Sequence, residues 1–192
     1  MDSDTGRLPT AYTHRRTEIF RSRHFAFLTE ELTLPNGRRV EMAMVHHPGS
    51  VGVVPLIDDR HVLMEHQYRP CVRETLVEIP AGTLEPGESP PACARRELEE
   101  ETGYAAAEFI DLGRTHVLPA YSDEVIHLFI ACGLTLARPR LDPDEIIRTQ
   151  IYPLDRLMDM IVAGEITDAL TILALQRTWF QLHGFNGSRK PI

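Results

Sequence analysis

The stretch Gly82–Tyr104, GTLEPGESPPACARRELEEETGY, holds six glutamates, four of them within RELEEE. Like charge at this density opposes folding unless something offsets it. Ser89 before Pro90 and Pro91 has the form of a helix start, with Ser at the N-cap and Pro where a missing N–H does no harm; Gly103 is a natural stop. The spacing predicts one short helix between them. At about 100° per residue, Glu97, Glu100 and Glu101 fall within an arc of roughly 100°, while Glu99 points the other way. Glu97 and Glu101, at i and i+4, repel by about 0.2–0.5 kcal/mol. Arg96 flanks that face but cannot neutralise three carboxylates. Hard divalent cations such as Mg²⁺ take oxygen ligands and bind one or two carboxylates together with substrate phosphates. The face suits that role; a solvated acidic face is the other reading of RELEEE taken alone.

The surrounding residues decide between them. Gly82, Glu88, Arg96, Glu97, Glu100, Glu101 and Gly103 follow the order G, five residues, E, seven residues, R-E-L-x-E-E-x-G, and then Tyr104. This resembles the complete signature of the Nudix hydrolases. Seven fixed residue types would coincide by chance about once in 10⁸ starting points. Tyr104 stands where that family usually carries an aliphatic residue, a departure that bears on packing rather than chemistry. HPGSVGVVPL, QYRP, EIPAGTLEPGE and PAYSDEVIHLFIA further resemble segments of the ADP-ribose pyrophosphatase branch. Pro119, fifteen residues beyond Tyr104, occupies the place of that branch's marker proline. The likeness runs from about Phe20 to Leu175.

The resemblance implies an α+β (mixed α/β) fold, a three-layer α/β/α sandwich with an N-terminal β extension. It implies Mg²⁺, with Mn²⁺ as a substitute, held by Glu97 and Glu101 with help from Glu100 and the backbone carbonyl of Ala81. Gly82 lets the chain pass close to the metals, and Glu88 and Arg96 orient the helix as a carboxylate–guanidinium pair. The implied reaction is cleavage of the diphosphate of ADP-ribose to AMP and ribose 5-phosphate. Its general base is expected on the acidic stretch LDPDEII, with Glu145 first and Asp144 second, Glu100 and Glu101 being the catalytic carboxylates within the motif; a solvated acidic loop is the alternative. Arg69 in QYRP is placed to contact the pyrophosphate through its guanidinium fork, with Arg73 behind it, unless a carboxylate pairs with either. Phe25 or Phe27 either stacks on adenine or fills the core. Similar enzymes exchange N-terminal strands in a homodimer. Two rival readings stay open: another nucleoside diphosphate sugar such as GDP-mannose, and a noncatalytic sensor of nucleotide sugars, against which the intact glutamate motif speaks.

Composition agrees. A chain of 192 residues with 43% hydrophobic content supports one sizeable core. A net charge of −8 argues against nonspecific binding to nucleic acid or anionic membrane. Cys71, Cys93 and Cys132 show no paired spacing, which speaks against a disulfide framework or zinc site. With no signal-type or membrane-length apolar run, the protein is expected to be cytoplasmic. Residues 1–12 are expected to form a mobile tail, 13–48 the N-terminal strands and 49–192 the hydrolase domain. Residues 16–34 and 38–47 read as strands joined through Pro35, Asn36 and Gly37. Further strands are expected over 51–57, 61–69, 75–82, 107–118, 124–134 and 145–154, and helices over 153–164 and 166–184. His46 and His47, adjacent on a strand and so facing opposite ways, are assigned structural roles; His116 and His127 are given no function.

Overall fold

The computed structural model describes residues 10–141 and 146–184. The chain divides into two compact units. One comprises Met1–Pro48 with Leu118–Glu124, the other Gly49–Val117 with Val125–Ile192.

The first unit carries an antiparallel sheet of β1 (Tyr12–Arg21), β2 (Ala26–Thr33) and β3 (Arg39–His46) in that order. The expected single strand over 16–34 is thus two strands. Ser22 makes the break: its hydroxyl accepts the N–H groups of His24 and Phe25 at 3.3 and 3.0 Å, a turn closed without glycine or proline. Along β2 the period is two, with Ala26, Leu28, Glu30 and Leu32 buried and Phe27 and Glu31 exposed. Glu30 is paired with Arg16 on β1. Segment Leu118–Glu124 runs beside β3, with Val45 N–H donating to the Tyr121 carbonyl at 2.8 Å.

The second unit holds two sheets. In the four-stranded one the order is β7 (Ala81–Thr83), β4 (Ser50–Pro55), β9 (Ile126–Leu136), β8 (Tyr104–Thr115), with β4 and β9 parallel and the outer strands antiparallel to them. Every residue of β4 is buried, which is why its sequence is a continuous small-apolar run rather than an alternation. Val51 and Val53 face one way, onto Cys93, Ala94 and Leu98 of helix α1 (Pro90–Thr102). Val54 faces the other way, into the larger core with Leu128, Ile130, Leu157 and Leu175. That core also receives Val62 and Met64 from β5 (His61–Arg69) and Val77 from β6 (Glu74–Glu78), which with β10 (Ile147–Pro153) form the other sheet, ordered β10-β5-β6. Helices α2 (Leu154–Ala163) and α3 (Ala169–His183) complete it. The second unit is therefore layered, helix on sheet on mixed layer. Among the described residues no helix is long and apolar enough to cross a membrane.

TLVEIPAG, expected as one strand, is divided at Ile79–Pro80 between the two sheets, β6 in one and β7 in the other. Proline supplies the break because it has no N–H for a ladder. Its carbonyl is still used, accepting from Val53 N–H at 2.9 Å. This crossing delivers the chain to the glutamate helix.

Candidate active site

Helix α1 starts and stops where the sequence predicts, though not by the expected contact. Ser89 is the N-cap with Pro at the first positions, yet its hydroxyl makes no capping bond; its carbonyl instead accepts from Ala92 and Cys93 at 2.9 and 3.0 Å. Gly103 ends the helix in the left-handed region, φ 71°, with its N–H donating to the Glu99 carbonyl at 3.0 Å. The buried positions Cys93, Ala94, Glu97, Leu98, Glu101 and Thr102 define the face toward β4 and β7, and two of the glutamates lie on it.

Glu97 and Glu101 are 8% and 5% exposed. The carboxylate of Glu101 accepts the Ala81 N–H at 2.9 Å, which fixes the β7 backbone against the helix. Gly82 comes nearer still: a Cβ there would lie 1.8 Å from the Glu97 carboxyl carbon. Glycine is thus required at this position for close approach. Glu88 grips Arg96 through two bonds of 2.9 Å, to Nε and Nη2. Arg96 does more than the expected pairing, since Nη1 also donates to Glu97 at 2.7 Å and to Glu100 at 3.2 Å, and Nη2 to the Thr83 carbonyl at 3.1 Å. Hydrogen bonding to Arg96 holds the Glu88 carboxyl down at about 2, and the same bond raises the Arg96 guanidinium further above its ordinary value. Burial, with the nearby Glu97 charge, pushes the Cys93 thiol up to about 12.

The donor set fits a hard divalent ion. Two buried carboxylates, a third at Glu100 and the backbone of Ala81 supply only oxygen ligands, and the space a Cβ would fill at Gly82 lies against Glu97. Among the described residues no three His, Cys, Asp or Glu side chains converge closely enough to hold an ion by themselves.

Arg69 ends β5 and is paired with a carboxylate, Glu78, at 3.0 Å from Nε and 2.6 Å from Nη2. Nothing in the sequence singled out Glu78; the only signal was a lone acid in the apolar run TLVEIP. Arg73 is exposed, with φ 62°, in the β5–β6 turn. Phe25 and Phe27 belong to the other unit with Pro119, and each phenylalanine is 40% exposed, so neither fills the core. His46 and His47 hold the Leu118–Glu124 segment: His46 Nδ1 lies 2.6 Å from Asp123, and the His47 N–H donates to the same carboxylate at 2.9 Å. Glu145 and Asp144 lie outside the described residues.

A glutamate helix pinned under a glycine strand on a mixed sheet is the Nudix arrangement. Residues 46–175 match the model of the NUDIX domain, and the chain belongs to the Nudix family. It is 36% identical over 166 residues to the ADP-ribose pyrophosphatase of Bacillus subtilis (strain 168), covering 85% of this chain and 90% of that one. It is likewise 36% identical over 173 residues to the methanol dehydrogenase activator of Bacillus methanolicus, covering 89% and 94%. Among solved structures, an ADP compounds hydrolase superposes with a TM-score of 0.79 at 24% identity, over 94% of this chain and 98% of that one, a likeness of fold.

Proposed function

We propose that this protein is a Mg²⁺-dependent pyrophosphohydrolase, with Mn²⁺ able to substitute, that cleaves the diphosphate of ADP-ribose to AMP and ribose 5-phosphate. The observation that carries the reading is the intact carboxylate face: Glu97 under Gly82 and bonded to Arg96, which Glu88 grips in turn, and Glu101 on the Ala81 N–H. The relative named ADP-ribose pyrophosphatase, matched over nearly its whole length, supports the choice of substrate.

Glu97 and Glu101 would hold the ion, with Glu100 and the Ala81 carbonyl beside them. When bound, the ion supplies charge neutralisation of the phosphates and activation of a water for in-line attack. Arg69 takes phosphate oxygens, and Phe25 or Phe27 stacks on adenine. Glu145, or Asp144 after it, removes the proton from the attacking water, with Glu100 as the base within the helix. If Glu145 acts so, Glu145→Gln lowers kcat more than KM and flattens the rise of rate with pH; an unchanged profile moves the role to Asp144 or Glu100. The three-stranded N-terminal sheet, with Tyr12, Ile19, Phe20 and Met42 exposed, supports a homodimer, tested by light scattering. The free thiols at Cys71, Cys93 and Cys132 support a cytoplasmic setting.

A panel of ADP-ribose, ADP-glucose, GDP-mannose, diadenosine polyphosphates, NADH and 8-oxo-dGTP, compared by kcat/KM, tests the substrate. ADP-ribose is expected to lead. Preference for GDP-mannose would replace it, and tight binding without hydrolysis in Mg²⁺ or Mn²⁺ would make the protein a sensor.

A further inference from the structure

Arg69 shares one face of its sheet with Glu65 and Gln67, because alternate strand residues point the same way. The register sets Glu74 directly opposite Arg69, and Glu78 opposite Glu65. Glu74, the nearer carboxylate along the ladder, is exposed, and the guanidinium passes it over. It reaches back along the face to Glu78, which is 4% exposed, and meets it with Nε at 3.0 and 3.1 Å from the two oxygens and Nη2 at 2.6 Å. The chosen partner is the buried one, and its position matters. Glu78 is the last residue of β6, and after Ile79 and Pro80 the chain reaches Ala81, whose N–H is bonded to Glu101. The guanidinium is thereby drawn toward the end of the sheet at which the glutamate helix is pinned, where Glu101 and Asp168 are the further charges that act on it.

The bonding pattern dictates what remains free. A guanidinium has five N–H donors in a planar fork. Glu78 occupies Nε and one side of Nη2, which leaves both N–H groups of Nη1 and the outer one of Nη2. Two of those donors, one from Nη1 and the outer one of Nη2, lie side by side along one edge, with the side chain 41% exposed. We propose that Glu78 is a positioning residue for the substrate: it clamps Arg69 by its Nε edge so that the Nη1–Nη2 edge presents a two-point cradle to the oxygens of a sugar-linked diphosphate. Glu78 itself touches no substrate. The proposal rests on the reading of this site as a diphosphate hydrolase. Its electrostatic consequence is specific. The pair is neutral as a whole, so Arg69 contributes directed hydrogen bonds rather than a loose attraction for any anion.

The test is a double-mutant cycle on kcat/KM, read with the best substrate of the panel above. Glu78→Asp keeps the buried charge but withdraws the carboxylate by one methylene, and is expected to lower kcat/KM about 10- to 100-fold, the scale of a misplaced substrate-orienting group. Thermal melting is expected to stay close to wild type. Arg69→Ala is expected to lose at least as much, and Glu78→Asp added to Arg69→Ala to remove nothing further. Arg69→Lys, which keeps the charge and the partner but not the fork, is expected to behave like Arg69→Ala in KM. A Glu78→Asp enzyme within twofold of wild type overturns the proposal, as does a further tenfold loss in the Arg69→Ala background. A wild-type protein inert toward the whole panel overturns the hydrolase reading and this one with it, whereas an active wild type that tolerates Glu78→Asp overturns this one alone.

Discussion

Gly82→Ala isolates the geometry of the carboxylate face, because it adds a single methyl group. The added carbon would sit 1.8 Å from Cδ and Oε1 of Glu97 and 2.4 Å from Oε2, where ordinary contact begins at 3.4 Å. The carboxylate must retreat by about 1.6 Å, the difference between 1.8 and 3.4 Å. Gly82 does not have positive φ, so alanine brings no backbone strain there and reduces unfolded-chain entropy by about 0.4–1 kcal/mol. The displaced group is the end of a flexible side chain, which can swing away. Its bond to Arg96 at 2.7 Å is the stabilising contact at risk, worth about 1.5–3 kcal/mol for a charged hydrogen bond. The two contributions oppose each other and leave a net loss of about 1–2 kcal/mol. Activity is expected to suffer far more. Misplacement of a reacting or positioning group by 1 Å costs about 10²-fold, so kcat/KM for ADP-ribose should fall at least that far, about 2.7 kcal/mol in transition-state stabilisation. Steady-state kinetics in saturating Mg²⁺, Mn²⁺ binding by calorimetry and a urea melt separate the two effects. An alanine variant within threefold of wild type in both kcat/KM and Mn²⁺ affinity would refute the close-approach argument.

Glu97→Gln and Glu101→Gln are each expected to reduce kcat by about 10³-fold or more, near 4 kcal/mol, with circular dichroism unchanged; near-normal turnover in both would remove the metal assignment. Burial holds the His47 imidazole pKa below its ordinary value, against the opposing charges of Glu124 and Asp123 and with His24 and His46 assisting. The unfolded chain therefore binds more protons as pH drops below about 6.5, so this contribution to stability is full above that pH and is lost below it; urea midpoints compared at pH 7.5 and 5.5 should fall less in His47→Gln than in wild type. With the Cys93 thiol pushed up to about 12 by burial and Cys132 also raised, maleimide at pH 7.5 should label the exposed Cys71 first, and mass spectrometry finding equal labelling at Cys93 would contradict its packing.

What the sequence disclosed was local or periodic. The start and stop of α1, the run of β4 and the Gly82-to-Glu97 spacing each follow from residue types whose backbone or burial preference is strong. The missed features depend on partners far along the chain. Ser22 turns the chain by side-chain bonds that leave no glycine or proline signal, and Glu78 is distinguished from Glu74 only by which of them is covered. Asp123 binds His46 across 77 positions, a pairing that no spacing rule contains. Charge in a sequence names the groups that must be satisfied; the tertiary fold decides by whom.

Arg96 shows that decision at the centre of the site. Three carboxylates on one helical face oppose folding, and the sequence offers one adjacent arginine for all of them. The fold divides the work, turning each edge of the guanidinium to a different partner, with Nε and Nη2 on Glu88 and Nη1 on Glu97 and Glu100, while Glu101 accepts the Ala81 N–H. Removing it in Arg96→Met would leave Glu88 and Glu97, only 14% and 11% exposed, without their cation. Breaking a buried pair from one side costs about 3–5 kcal/mol. Because Arg96 is itself 25% and Glu100 31% exposed, solvent screening lowers that to about 2–3 kcal/mol. The pH dependence identifies the cause. Glu88, held at about 2 in the folded protein, contributes stability that is complete above its ordinary value of 4.5 and disappears as pH falls toward 2, so the variant should lose this acid limb as well. Mg²⁺ or Mn²⁺ bound by the same carboxylates should restore part of the loss, about 2.7 kcal/mol at a hundredfold excess over Kd. Urea unfolding of both proteins across pH 3–7, with and without the ion, measures all three effects. An Arg96→Met variant as stable as wild type without metal would mean that water, not Arg96, offsets the charge of the glutamate face.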